Sequence, residues 1–240
     1  MKRPTAHVRD DEPEFDLDDI LCAPDTRRRW DHYPAATASQ AQAHRALYWW
    51  AFEDDGPRRY CVVMGPCGTG KTDLARSLFA EMLNRFDAEI TDWPPVWVDG
   101  PALIKALPQL GPIRCGNPWR HDCDWRQMPA VTKVILSSFL VIDDFRLPES
   151  IHEKRLWQSL IDERNRQGNC SGLITTNHTS SELHKALGDR AFDRLNDSAL
   201  WVAVNGPSLR RPRVMMFDED TDIQGFRPSW PSMRGYRSDP

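Results

Sequence analysis

No stretch of this sequence approaches the ~20 consecutive apolar residues that a membrane-spanning helix needs, so none is expected to cross a bilayer. The start, Met1-Lys2-Arg3-Pro4, runs into polar sequence and has no apolar signal-peptide core. A paired cysteine framework is missing too. Cys22, Cys61, Cys67, Cys115, Cys123 and Cys170 lie far apart, which fits reduced thiols in a soluble, cytoplasmic protein. Cys115, His121 and Cys123 follow no recognised zinc spacing and have no apparent fourth partner, so metal binding is not expected there. Nor is there an excess of basic charge. The formal net charge is −4 and the isoelectric point is near 6.0, so any contact with nucleic acid must come from local patches. Arg27-Arg28-Arg29 and the arginines from Arg210 to Arg237 are basic runs, while Asp10–Asp19 is acidic. The length, 240 residues, leaves little room for two ordinary domains. One α/β domain is expected over 41–210, with a flexible arm over 1–40 and a Pro- and Arg-rich tail over 211–240.

What is present begins with Gly65-Pro66-Cys67-Gly68-Thr69-Gly70-Lys71-Thr72, a full G-x-x-x-x-G-K-[ST] match. It follows an apolar strand-like Tyr60–Met64 and precedes a helix-like Asp73–Phe86, the context a phosphate loop requires. Such glycines let backbone N–H groups curl around phosphates, and the helix directs its N-terminal dipole at the same anion. Lys71 is expected to reach the β- and γ-phosphates and Thr72 to take one position on Mg²⁺.

Strands and helices then alternate. A helix is expected over Ala41–Phe52, a strand at Val96–Val98, a short helix over Pro101–Leu107 and a helix over Ser150–Gln167. Residues 108–130 hold four prolines, two tryptophans and three arginines and read as a long loop. Arg114, Trp119, Arg120, Trp125 and Arg126 interleave cations with stacking surfaces, as single-stranded nucleic acid favours, although tryptophans also pin loops onto their own domain. Phe139–Ile142 reads as a buried parallel strand ending in two carboxylates. At such an end Asp143 is placed to hold Mg²⁺, and Asp144 to orient or deprotonate an attacking water. Gly172–Thr176 is a further buried strand, with Asn177 at its tip to hold that water. Leu183–Leu187 is a short helix, Gly188–Leu195 carries Arg190 and Arg194 one turn apart on one face, and Leu200–Val204 closes the sheet.

Taken in order, the phosphate loop, Leu-Val-Ile-Asp-Asp, Thr-Thr-Asn, Gly-Asp-Arg-Ala-Phe-Asp-Arg-Leu and Leu-Trp-Val-Ala-Val-Asn-Gly-Pro-Ser-Leu-Arg resemble the DnaC/IstB family of AAA+ ATPases, from about Tyr60 to Arg210. The resemblance implies an α/β P-loop NTPase fold of the ASCE type: a parallel five-stranded sheet flanked by helices, with no full C-terminal lid domain. It implies that Gly65–Thr72 is Walker A, that Asp143 and Asp144 are Walker B, and that Asn177 is sensor 1. It implies that Arg194 is an arginine finger with Arg190 beside it, and that Arg210 is sensor 2. ATP and Mg²⁺ are the implied cofactors. Asp144 stands where many AAA+ proteins carry Glu, and this shorter base implies slow, switch-like hydrolysis stimulated by DNA or by assembly. The implied function is a helicase loader that binds single-stranded DNA and a replicative helicase, and that self-assembles with the finger acting in trans. The alternative is an IstB-type transposition helper acting with a transposase on duplex DNA. A small-molecule kinase is less favoured, and a nucleotide-binding module without hydrolysis is a further reading.

Overall fold

A computed structural model describes Trp30 and residues 33–53, 59–86, 93–106, 130–167 and 170–209. The unit Arg210–Pro240 lies outside the described residues, and with it fall the expectations for the tail and the lid.

Five strands form one parallel sheet: β1 (Tyr60–Met64), β2 (Val96–Asp99), β3 (Phe139–Phe145), β4 (Ser171–Thr176) and β5 (Ala199–Ala203), in the order β2-β3-β4-β1-β5. Their sequences are nearly continuous apolar runs because both faces of a parallel sheet are covered by helices. Alternate residues feed two cores. Cys61 and Val63 point into one with Leu47, Trp50, Leu74 and Leu78, from α1 (Ala38–Phe52) and α2 (Lys71–Arg85). Tyr60 and Val62 point into the other with Trp157 and Leu160, from α5 (Ile151–Gln167), together with apolar residues of α3 (Gly100–Ala106), α4 (Ala130–Leu136), α6 (Ser180–Leu187) and α7 (Asp189–Asp197).

Some element boundaries differ from expectation for local reasons. The helix expected from Ala41 begins at Ala38, since the Thr37 hydroxyl accepts the Gln40 amide at 3.1 Å and caps it. The short helix expected from Leu183 begins at Ser180. There Thr179 and Glu182 form a reciprocal capping box, with Glu182 accepting the Thr179 amide at 2.7 Å. Helix α4 carries no recognisable signal in its sequence, Ala-Val-Thr-Lys-Val-Ile-Leu, which is as suited to a strand. Its last turn is held from outside. The fully buried Arg164 guanidinium donates to the carbonyls of Val134 at 2.6 Å, Ile135 at 3.1 Å and, across to β4, Ser171 at 2.6 Å. Orphan helix-end carbonyls thereby gain a cation, which the C-terminal dipole also favours. The long loop expected over 108–130 lies, apart from Ala130, outside the described residues.

Parallel strands place all their carboxyl ends on one edge, and the ends of β1, β3 and β4 meet there.

Candidate functional site

The turn from β1 to α2 curls tightly because glycine stands where other residues would strain. Gly68 (φ 83°) and Gly70 (φ 90°) lie in the left-handed region, and a Cβ on Gly70 would sit 2.3 Å from Gln40 Nε2. Two side chains close the loop. The Thr69 hydroxyl donates to Pro66 O at 2.9 Å, and the buried Gln40 amide donates to Thr69 O at 2.8 Å. Leu209 N donates to Gly68 O at 2.8 Å, so the chain passes the loop immediately before Arg210, which lies outside the described residues.

Lys71, in the first turn of α2, is nearly buried, and its ammonium donates at 2.8 Å to each of Gly65 O, Pro66 O and Asn177 Oδ1. Thr72 follows and donates to Asp143 Oδ1 at 3.0 Å. Thr175 of β4 donates to the same oxygen at 2.6 Å. Burial pushes the Asp143 carboxyl above the usual range, and the hydrogen bonds from Thr175 and Thr72 partly offset this. An oxygen in such surroundings gains most from a nearby cation.

Asp144 is the single non-glycine residue with positive φ (54°) among the described residues. The β3–β4 register shifts between Ile142 and Phe145, so neither aspartate pairs with β4, although Asp143 stays in register with Asp99 of β2. The Asp144 amide is satisfied by Thr175 Oγ1 at 2.9 Å instead. Its carboxylate is held on both sides: Asn177 Nδ2 donates to Oδ1 at 3.1 Å, and Arg146 donates to Oδ2 through Nη2 at 3.0 Å and Nε at 3.3 Å. One network therefore runs from Lys71 through Asn177 and Asp144 to Arg146, beside a second joining Thr72, Asp143 and Thr175.

Of the expected site residues, Gly65 to Thr72, Asp143, Asp144 and Asn177 are brought together. Arg190 and Arg194 are not. Both lie on α7 and pair with Asp162 of α5, Arg190 at 3.4 Å and Arg194 in closer contact. Cys115, His121, Cys123 and the Arg/Trp cluster around them lie outside the described residues. Among the described residues no group of three or more His, Cys, Asp or Glu could hold a metal ion, and no helix is long and apolar enough to cross a membrane. Sequence patterning missed Gln40, Arg146 and Thr175. Thr175, one residue before Thr176 at the strand tip, had a usable signal in the polar Thr-Thr-Asn ending of an otherwise apolar strand.

A phosphate loop after β1, a carboxylate-tipped β3 and the order β2-β3-β4-β1-β5 define an α/β P-loop fold. Several solved structures share that fold. They include the DnaC helicase loader, at 20% identity and TM-score 0.54 over 74% of this chain and 96% of that one. DnaI matches at 16% identity and TM-score 0.55 over 77% and 92%. AMPPCP-bound DnaA from Aquifex aeolicus matches at 12% identity and TM-score 0.52 over 73% of this chain but only 49% of that one. At these identities the likeness is one of fold. No protein-family model matches the sequence, and no curated protein does.

Proposed function

We propose that the chain is an ATP-hydrolysing switch of DNA replication, acting as a helicase loader. The observation that carries this is the joining of Lys71, Asn177 and Asp144 in one hydrogen-bonded line beside the Thr72–Asp143 pair. The residues present suit ATP with Mg²⁺: a glycine turn that side chains would block, a helix N-terminus, and a half-buried carboxylate bonded to a Walker-type threonine. A Mg²⁺ ion held there would supply neutralisation of the charge that develops on the phosphates as the terminal phosphoryl is transferred. Thr72 and Asp143 would hold the metal. Lys71 would exchange its carbonyl partners for phosphate oxygens, and loop amides would take the rest of the charge. Asn177 would position the attacking water and Asp144 accept its proton, so that ATP and water give ADP and phosphate. Arg194, with Arg190 beside it, would serve the site of a second copy, tying turnover to self-assembly; Arg210 would act as sensor 2.

Single-stranded DNA and a replicative helicase are the partners this reading assigns, supported by the fold it shares with the DnaC helicase loader. The test is phosphate release without DNA, with single strands and with duplex, paired with light scattering and an Arg194→Ala variant. Stimulation by single strands that the variant loses is expected. Assembly on duplex alone would point to a transposition helper, and rapid turnover by a monomer indifferent to the substitution would sink the switch.

A further inference from the structure

Arg146 has no part in the chemistry just described, yet it makes the strongest single claim on Asp144. Two of its nitrogens address one carboxylate oxygen, at 3.0 and 3.3 Å, while Asn177 holds the other. A water approaching this carboxylate therefore meets a guanidinium at Oδ2 and an amide at Oδ1. The backbone around the pair is asymmetric. Phe145 is fixed, buried against Trp157 at 4.6 Å between ring centroids and accepting the Thr176 hydroxyl at 2.9 Å. Asp144, just before it, stands outside the ladder with φ 54°, so its carboxylate is placed by side-chain partners and not by sheet pairing. Arg146, just after it, lies beyond the last residue of β3 with a side chain 67% exposed. An ion pair this exposed is weak, and modest competition opens it.

We propose that Arg146 is a latch on the water-activating carboxylate: paired with Asp144 it occupies Oδ2, so that an attacking water cannot be seated there, and hydrolysis proceeds only from the population in which the pair has opened. This latch rests on the hydrolytic role proposed above for Asp144. Arg146 is thus a positioning residue that acts through Asp144 and needs no contact with nucleotide. Slow turnover, which a short Asp base would explain by reach alone, would then be partly a matter of occupancy.

The test is steady-state phosphate release by the full chain and by Arg146→Ala and Arg146→Gln, with folding followed by circular dichroism and nucleotide affinity by calorimetry with ATP and Mg²⁺. The expected result is a kcat higher by roughly two- to fivefold, the population that an exposed ion pair can hold back, with KM and affinity unchanged. Arg146→Lys, which keeps the charge but loses the fork, should give a smaller increase. Adding Asp144→Asn to Arg146→Ala should abolish the gain. A kcat unchanged or lowered by both neutral variants would overturn the latch and, if lowered, mark Arg146 as stabilising the transition state. A gain that survives Asp144→Asn would overturn it as well. If wild type and variants all bind ATP and none releases phosphate, the chain is not an ATPase and the latch falls with that role.

Discussion

Asp143 and Asp144 are neighbours in sequence with opposite surroundings. The first is half-buried and accepts two threonine hydroxyls; the second stands in a strained conformation between an amide and an exposed guanidinium. Both were legible as carboxylates at the end of an apolar strand, but their partners were not, since sequence shows neither a register shift nor which side chains converge across β4. Lys71 was legible for its motif, and its bond to Asn177 joins two residues 106 positions apart. Cys67 belongs to this scale as well. Its thiol is exposed in the phosphate loop, whereas Cys61 and Cys170 are buried, and burial pushes both of those thiols up. Treatment with N-ethylmaleimide is expected to block nucleotide binding, ATP to protect against it, and Cys67→Ala to resist it. Loss of binding in the Cys67→Ala protein on the same treatment would place the sensitive thiol elsewhere.

At the scale of elements, strands and long helices were readable because their apolar periods are strong, and α6 carried a capping box that marks its start. Helix α4 was not readable, because what stabilises it is a single cation from α5. Arg164 satisfies carbonyls at the end of α4 and on β4 at once, fastening one helix to the sheet that bears the site. Arg164→Met would keep much of the apolar stem but leave several buried carbonyls unpartnered. A loss of about 3 kcal/mol is expected in denaturant unfolding, given the usual cost of orphaned buried acceptors. A loss below about 1 kcal/mol would mean that water replaces the guanidinium there.

For the whole molecule, the class of fold followed from the order of motifs, and the strand order agrees with it. The division of labour within the fold was less visible. One edge of the sheet gathers the phosphate loop and the acidic pair, while Arg190 and Arg194 are occupied with Asp162 on α5. A finger held this way would have to leave Asp162 to serve a second copy. The central claim, that this edge binds and splits ATP, is tested most directly by calorimetry with ATP and Mg²⁺ and phosphate release on wild type and Asp144→Asn. Binding by both with turnover only in wild type is predicted, with kcat falling by roughly a hundredfold or more in the variant, as removal of a general base entails. No binding by wild type, or equal turnover by the variant, would contradict it.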